Sequence, residues 1–472
     1  MTSIPPAFSV PSLQDMEASY QSLRNYFDQG KTLNIAERRN LLIKLHDAIE
    51  ANSDQICSAA FADFHKPKAE MLLTEVYTVL AEIKHTIAHL QKWSRPENAP
   101  TNILLLPSSS KIYRSPKGVV LIISPWNYSF YLCLMPLVSA IAAGNAVMLK
   151  PAHETHNVSL VIKHIVDQVF SNEHIAVILG QGKPTGELLL QNFIFNHIFF
   201  TGSTSVGRWI MEQAAKNLTP VTLELGGKSP AIVAADADID LAAQKIVWGK
   251  FINAGQTCVC ADYVVVHHSI KDSFITACIK QIKLLYTDDV FSSDQYCHMI
   301  HDVKFDHVVK MLDDGEVIYG GKHDKSIRCI EPTLIIPHSM ETMLMREEIF
   351  GPLLPILSYD SRDEMLSIIR KNRYPLALYL FGQDNGLREF VTSHIEFGGG
   401  CFNNTVYHLG NPNLPFGGIQ HSGMGQYHGR AGFDTFSNVK SILQNANWFN
   451  PPLLYQPYTA FKLKLLKWFF KL

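Results

Sequence analysis

The sequence between residues 119 and 227 alternates short apolar runs with stretches of helical periodicity. In the stretches 157–170 and 206–216, apolar residues recur every three or four positions, which indicates amphipathic helices. Runs of about five apolar residues separated by helices predict a parallel sheet that is covered on both faces. The predicted strands are 119–124, 146–150, 175–179, 197–201 and 221–225.

A second series of apolar runs begins near residue 263 and predicts another α/β domain. Residues 35–93 have helical spacing, whereas 101–116 and 437–443 look extended. The predicted fold class is therefore α/β, with two α/β domains and a small β arm. The strands of the second domain are expected at 263–267, 332–337, 353–357 and 376–381.

Several segments begin at the carboxyl ends of the predicted strands, where parallel sheets bind ligands. Gly202 and Ser203 lie between a strand and a helix, so backbone N–H groups and the helix dipole could bind a phosphate there. Lys150 ends another strand and could donate to ribose hydroxyls. The ordinary alternatives, a plain strand–helix turn and a solvated lysine, stay open.

Asn127 follows a further strand. Its side-chain amide could stabilise an oxyanion, or it could cap the next helix. Glu348 and Phe350 precede a Gly-Pro turn farther along the chain. They could hold a ribose and a nicotinamide ring, or they could belong to an ordinary charged loop.

Cys258 and Glu224 are the candidate reactive pair. Cys258 ends the string Gly-Gln-Thr-Cys at 255–258, and Glu224 lies in Leu-Glu-Leu-Gly-Gly-Lys at 223–228. A thiolate attacks carbonyl carbons, and a carboxylate can activate the water that hydrolyses the resulting thioester. Either residue alone would more often have a structural role. The segments that flank the pair support the interpretation that both residues are catalytic.

The composition is that of an ordinary globular protein. The 472 residues are 47% hydrophobic and 18% charged, and the net charge of −2 gives no bulk attraction for nucleic acid. The 8 cysteines have no disulfide framework and no metal-binding spacing, so no metal is predicted. The N-terminus lacks a signal-peptide pattern, and no apolar stretch approaches the roughly 18 residues of a membrane span. We therefore expect a cytoplasmic enzyme.

The strings at 223–230, 255–258 and 348–352 together resemble those of the aldehyde dehydrogenase superfamily, and the resemblance covers nearly the whole chain. Segments within 401–429 are most similar to the class 3 branch, which includes dehydrogenases of fatty and aromatic aldehydes. The resemblance implies NAD(P)-dependent oxidation of a medium- or long-chain aliphatic aldehyde, or of an aromatic one, to the acid.

The resemblance also implies a Rossmann-like cofactor domain, an α/β catalytic domain and a small arm through which two copies form a homodimer. The implied boundaries are 1–100 and 117–226 for the cofactor domain, 227–436 for the catalytic domain, 101–116 and 437–445 for the arm, and 446–472 for a C-terminal tail.

By the same resemblance, Cys258 is the nucleophile, Asn127 and the Cys258 backbone N–H bind the oxyanion, and Glu224 activates water. Because members that transfer the acyl group to coenzyme A lack this glutamate, Glu224 favours hydrolysis. The implied cofactor contacts are Trp126, Lys150, His153, Gly202, Ser203, Gly207, Glu348 and Phe350.

His153 stands where relatives often place a glutamate that binds the ribose hydroxyls. Loss of that carboxylate would remove repulsion against a 2′-phosphate, so we expect NADP to be accepted as well as NAD. Two other functions stay open. The chain could be a thiol hydrolase or transacylase without redox chemistry, or a binding protein on an inactive dehydrogenase fold.

The last twelve residues, 461–472, are basic and aromatic. On a helical wheel Lys464, Lys467 and Lys471 share one side, and aromatic and leucine side chains occupy the other. Such a helix suits an anionic membrane surface, although it is too short to span a bilayer. The alternative is that it docks on its own enzyme and gates the aldehyde entrance.

Overall fold

The computed structural model describes residues 8–286, 289–450 and 452–470, and the chain forms two compact units. One unit comprises the chain up to residue 93 together with 116–437, and the other comprises 94–115 together with the chain from 438 onward. The first unit contains two large mixed sheets, and a small three-stranded sheet is built mainly from the second. The predicted α/β fold class is confirmed.

The first large sheet contains all five strands predicted between residues 119 and 227. Its strands are parallel, apart from the edge strand Gly423–Met424, which pairs antiparallel with the strand that ends at Glu224. Because this edge strand comes from far along the chain, the local pattern did not predict it. Within the described residues the spatial order is Gly423–Met424, Val221–Glu224, His197–Thr201, Val119–Ile123, Ala146–Lys150 and Ile175–Val177.

Both faces of this sheet are buried, because successive side chains of a strand point to opposite faces. Val120 and Ile122 pack in one core with the helix Tyr131–Ala143, whereas Val119 and Leu121 pack in another core with the helix Leu13–Asp28. The unbroken apolar runs of the sequence follow directly from this two-sided burial.

The second large sheet contains the four strands predicted after residue 263. It also contains three strands that the sequence did not predict, and of these Gly315–Tyr319 pairs antiparallel with its neighbour. Across the described residues the order is Gly315–Tyr319, Thr333–Pro337, Leu353–Tyr359, Tyr263–His267, Pro230–Val233, Ala377–Phe381 and Gly399–Phe402. A two-stranded ribbon pairs His323–Asp324 with Cys329–Ile330.

The helical spacing of residues 35–93 corresponds to several helices. A π-helical turn, Leu72–Val76, interrupts the last of them and places the Glu75 side chain in the interior. The α-helices are Leu13–Asp28, Ile35–Ala51, Ser53–Phe64, Lys68–Met71, Tyr77–Trp93, Tyr131–Ala143, His156–Val169, Gly182–Asn192, Thr204–Ala215, Ile239–Phe251, Lys271–Tyr286, Asp302–Lys310, Met343–Arg346, Arg362–Arg370, Asn385–His394, Gly429–Thr435 and Ala460–Phe469. Shorter 3-10 turns are Ile103–Leu105, Ile252–Gly255, His268–Ile270, Met311–Asp314, Tyr407–Gly410, Gln420–Ser422 and Pro452–Leu454.

The small sheet has the strand order Glu97–Ala99, Ser109–Pro116 and Ser437–Gln444. Its first strand lies in the segment that the resemblance assigned to the cofactor domain. The tail contains the helix Ala460–Phe469, and residues 471–472 of the predicted helix lie outside the described residues. Among the helices of the described chain, none is both long and apolar enough to cross a membrane.

Candidate active site

Cys258 follows a turn whose backbone is held in an unusual conformation. Asn253, Ala254 and Gly255 all have positive φ, at 54°, 51° and 73°. A Cβ on Gly255 would lie 2.2 Å from the carbonyl oxygen of Gly351, so only glycine fits this position. Three consecutive left-handed residues are costly and persist only where surrounding contacts hold them, a feature typical of functional sites.

The Asn253 side chain makes some of the contacts that fix this turn. Its Nδ2 donates to the carbonyl oxygen of Asn127 at 2.8 Å and to that of Gln256 at 3.1 Å. The Gln256 side chain in turn donates to the Asn253 carbonyl at 3.0 Å. The turn before Cys258 and the segment around Asn127 are therefore fixed to each other.

Asn127 is buried beside this turn, with its Nδ2 donating to the Gln256 carbonyl at 3.1 Å. The helix that follows begins at Tyr131, and the N–H groups of Phe130 and Tyr131 donate to the Glu75 carboxylate at 2.9 and 3.0 Å. Glu75, rather than Asn127, therefore caps this helix. Asn127 lines the same cavity as the candidate nucleophile Cys258.

Glu224 is the last residue of its strand and is only 2% exposed. Neither carboxylate oxygen has a hydrogen-bond partner among the described residues. Burial raises the pKa of Glu224 well above its ordinary value. An enclosed, unpartnered carboxyl destabilises a fold, and such groups concentrate at functional sites.

The surroundings of Cys258 raise the pKa of its thiol above the ordinary value. Burial is the main cause that raises its pKa, and the charges of Glu348 and Glu224 add to it. A thiol with a raised pKa must lose its proton when its sulfur attacks a carbonyl carbon.

Three adjoining cavities meet around these residues. An apolar funnel of about 470 Å³ and a chamber of about 160 Å³ are both lined by Cys258. A cleft of about 600 Å³ shares Trp126, Gly202 and Ser203 with the chamber. Cys258 thus lies between the funnel and the chamber, and the chamber in turn adjoins the cleft; the three cavities are called the channel below.

The chamber brings together residues from distant parts of the sequence. Asn127, Glu224, Glu348 and Phe350 all line it with Cys258. The sequence predicted every one of these five residues, and the fold places them around a single chamber.

Glu348 fits a role in holding a ribose. Its Oε1 is buried and has no partner among the described residues. Burial, followed by the charge of Asp262, raises the pKa of Glu348 to about 8. A Cβ on Gly226 would lie 1.9 Å from Glu348 Oε2, so this glycine provides the room for the carboxylate. The Phe350 ring packs edge-on against Trp126, with centroids 5.4 Å apart.

The cleft holds the other predicted cofactor contacts. Lys150, His153, Gly202 and Ser203 line it, and Ser203 caps the helix Thr204–Ala215. The cleft therefore ends at a helix N-terminus, which favours an anion such as a pyrophosphate. Gly207 lies outside the cavities. A Cβ there would be 2.5 Å from Leu225, so this glycine allows the helix to pack closely on the sheet.

The surroundings of Lys150 and His153 refine the sequence interpretation. Lys150 is buried, and burial lowers its pKa. His153 Nδ1 lies 2.9 Å from Glu154 Oε2, and Glu154 also lines the cleft. The carboxylate that His153 replaces in the family pattern is therefore present one position later.

Lys304 was not singled out in the sequence. It lies in the first turn of the helix Asp302–Lys310, and its Nζ is 5.7 Å from the Phe350 ring centroid. It lines the chamber together with the two carboxylates of Glu224 and Glu348. No motif marks this lysine, because only the packing of its helix brings it to the site.

Comparisons with known sequences agree with this geometry. A family model described as "Aldehyde dehydrogenase family" matches residues 8–442. A Staphylococcus aureus protein named 4,4'-diaponeurosporen-aldehyde dehydrogenase is 40% identical, over 97% of this chain and 99% of that relative. The mouse protein named aldehyde dehydrogenase, dimeric NADP-preferring, is 39% identical, over 89% of this chain and 92% of its own.

Solved structures show the same similarity. The substrate-bound state of Staphylococcus aureus AldH has a TM-score of 0.93 at 40% identity, covering 96% of this chain and 99% of that one. Betaine aldehyde dehydrogenase from Staphylococcus aureus in complex with NAD+ has a TM-score of 0.83 at 26% identity, covering 93% and 90%.

Proposed function

The chain belongs to the aldehyde dehydrogenase family, so it is an oxidoreductase that acts on aldehydes with NAD or NADP. We propose that it converts hydrophobic aldehydes to carboxylic acids. The proposed substrates are medium- or long-chain aliphatic aldehydes and aromatic aldehydes. The observation that carries this proposal is the position of Cys258, which lines both an apolar funnel and a chamber where the Glu224 carboxylate has no hydrogen-bond partner among the described residues.

In the proposed mechanism, different residues of the chamber act in successive steps of the reaction. Cys258 attacks the aldehyde carbon while the Asn127 amide and the Cys258 backbone N–H stabilise the oxyanion. A bound nicotinamide would accept the hydride that the adduct on Cys258 loses, and this loss converts the adduct to a thioester. Glu348, Phe350 and Trp126 would hold that part of the dinucleotide, and Lys150, Gly202, Ser203 and His153 would hold the rest. Glu224 then takes a proton from the water that hydrolyses the thioester.

The funnel supports the choice of a hydrophobic substrate. It is lined mainly by aromatic and aliphatic side chains, including Tyr128, Trp248, Tyr407 and Phe416. Transfer of an alkyl chain or an aromatic ring into such a space is favourable by about 0.8 kcal/mol for each buried methylene. The name of the Staphylococcus aureus relative refers to 4,4'-diaponeurosporen-aldehyde, so an aldehyde is the substrate named for that protein.

A panel of aldehydes tested with both NAD and NADP examines the proposal. The KM is expected to fall by about fourfold per added methylene until the funnel is filled, because each methylene leaves water. The wild-type enzyme is expected to reduce both dinucleotides. The His153→Glu variant is expected to lose activity with NADP and to keep activity with NAD. A thiol hydrolase without redox chemistry would instead cleave thioesters and reduce neither dinucleotide, and an inactive binding protein would do neither.

We further propose a cytoplasmic homodimer that pairs through the small sheet. The strand Ser437–Gln444 carries exposed apolar side chains, among them Val439 and Ile442. An exposed apolar strand is a ready surface for a second copy of the chain. The word "dimeric" in the name of the mouse relative agrees with this proposal.

The tail helix is proposed to contact an anionic membrane surface. In the helix Ala460–Phe469, Lys464 and Lys467 are exposed, and the Phe461 ring is 71% exposed. No acidic residue follows Asp434, so the whole tail is basic. Basic side chains beside exposed aromatic rings favour an interface between water and anionic lipid.

Sedimentation with vesicles tests the membrane proposal. The full chain is expected to sediment with vesicles containing phosphatidylglycerol and to remain free of pure phosphatidylcholine vesicles. Lys464→Glu with Lys467→Glu should weaken binding at least about twentyfold, since each lysine contributes about 1 kcal/mol. Lys216→Glu with Lys322→Glu, a matched double charge reversal of exposed lysines outside the tail, serves as the control. If the double variant still sediments but changes the KM for long aldehydes, the gating alternative is correct.

A further inference from the structure

Lys304 is the one basic residue among the described residues that line the chamber. The carboxyl groups of Glu224 and Glu348 line the same chamber, and the proposed mechanism gives both of them a role. That mechanism does not use a cation. Lys304 lines the chamber but not the cleft, where Ser203 caps the helix proposed to bind the pyrophosphate. Its charge therefore belongs to the end of the channel that contains Cys258.

The fold fixes the position of Lys304 through the start of its helix. His301 caps the helix Asp302–Lys310, and its Nδ1 accepts the Lys304 backbone N–H at 3.1 Å. The His301 ring centroid lies 6.4 Å from that of Trp126. Phe305, the next residue, is buried in a hydrophobic core and holds the helix against rotation. Lys304 is thus placed beside the chamber by a capped and anchored turn.

The Lys304 ammonium is half-buried and forms no ion pair within the described part of the chain. The carboxylate of Glu347 is already paired with His307, whose Nε2 lies 3.1 Å from it. The contact of the Lys304 Nζ is with the Phe350 ring, whose centroid is 5.7 Å away, the range of a weak cation–π interaction. A partly desolvated charge without a counterion is costly, and such groups are concentrated at functional sites.

Reduction of a dinucleotide changes the charge of its nicotinamide ring and of no other part. The oxidised ring carries one positive charge and the reduced ring carries none, whereas the phosphates are the same in both forms. A fixed cation near the ring therefore destabilises the oxidised form relative to the reduced form. Carboxylates near the ring have the opposite effect. The charge of Lys304 acts at this place, because it opposes the burial and the Asp262 charge that raise the pKa of Glu348.

We propose that the Lys304 ammonium favours the reduced, uncharged nicotinamide and so promotes hydride transfer from the adduct on Cys258. In that step the C–H bond of the adduct breaks, and the hydrogen leaves with both electrons. The oxyanion re-forms a carbonyl group, which gives the thioester, and the acceptor ring loses its positive charge. Repulsion by Lys304 is relieved as the charge disappears. This role of Lys304 rests on the proposed function, because it requires that the nicotinamide binds beside Phe350.

Calorimetric titration of the full chain with NAD+ and with NADH, in the absence of aldehyde, tests this role. The ratio of the Kd for NAD+ to the Kd for NADH is expected to fall at least about threefold in Lys304→Met. Two unit charges about 10 Å apart interact by at least this factor at an effective dielectric constant of about 40. Lys304→Gln, a second neutral replacement, should show the same fall, and Lys304→Arg, which keeps the charge, should keep the wild-type ratio.

Lys310→Met is the matched control. It removes an exposed lysine from the other end of the same helix and should leave the ratio unchanged.

An unchanged ratio in Lys304→Met and Lys304→Gln would overturn the proposed role of Lys304. If both dissociation constants rise by the same factor, the ammonium attracts the phosphates that the two forms share. An equal fall of the ratio in Lys310→Met would also overturn it, because any nearby charge would then have the same effect. The titrations need no turnover, so the ratio can be measured even if aldehyde oxidation fails. Binding of neither dinucleotide would instead refute the proposed function, and the role of Lys304 with it.

Discussion

Replacing Cys258 by alanine is expected to lower aldehyde-dependent reduction of NAD or NADP by about four to six orders of magnitude, the range seen when a catalytic nucleophile is removed. The sulfur lies where the funnel meets the chamber, and no other cysteine lines either cavity within the described residues. Without the thiol, no covalent adduct forms, and the aldehyde hydrogen is not presented for transfer. The measurement is kcat/KM from the absorbance of the reduced dinucleotide.

Cys401→Ala is the matched control for this prediction. Cys401 is another half-buried cysteine, but it lies outside the three cavities of the channel. It should retain wild-type turnover. If Cys258→Ala keeps more than about a hundredth of wild-type activity, a rate that removal of a true nucleophile does not leave, the covalent mechanism is wrong.

Replacing Glu224 by glutamine is expected to separate the two halves of the reaction. Hydride transfer needs Cys258 but not the hydrolytic base, so one reduced dinucleotide should form rapidly per subunit. Steady-state turnover should then fall by about two to four orders of magnitude, because general base catalysis contributes that much. Rapid mixing records the burst, and mass spectrometry of the quenched enzyme should find an acyl group on Cys258.

The pH profile adds a second test of Glu224. Burial raises its pKa, so the carboxylate form that activates water increases as the pH rises. Wild-type kcat should therefore increase with pH wherever thioester hydrolysis limits the rate, and this increase should be absent in Glu224→Gln. Glu212→Gln, an exposed carboxylate on the helix Thr204–Ala215, is the control. A fall in turnover without a burst would mean that Glu224 acts before hydride transfer, as the base for the thiol.

Much of the fold could be predicted because its strands and helices follow from the local pattern of apolar and polar residues. The five parallel strands of the first sheet are unbroken apolar runs, since both of their faces are buried. The strand Gly423–Met424 could not be predicted in this way. It has two residues, and its position depends on pairing with Glu224 and Leu223, about two hundred residues earlier.

The residues of the candidate site could likewise be predicted in part from local sequence. Cys258, Glu224, Asn127, Glu348 and Phe350 could be named because their neighbours form recognisable strings, and the structure brings all five to one chamber. The sequence shows Glu154 next to His153, but only the structure places its carboxylate 2.9 Å from the His153 ring and in the lining of the cleft.

The amino-acid sequence by itself determined the candidate reactive groups, the α/β class and the strands whose two faces are buried. Periodicity and motif chemistry are local properties, so they can be read without knowledge of the folded chain. Tertiary structure alone decided that Lys304 lines the chamber, that Glu75 caps the helix behind Asn127, and that His428 reaches Tyr131. These contacts join residues far apart in the chain, and their geometry depends on how whole elements pack in a dense interior.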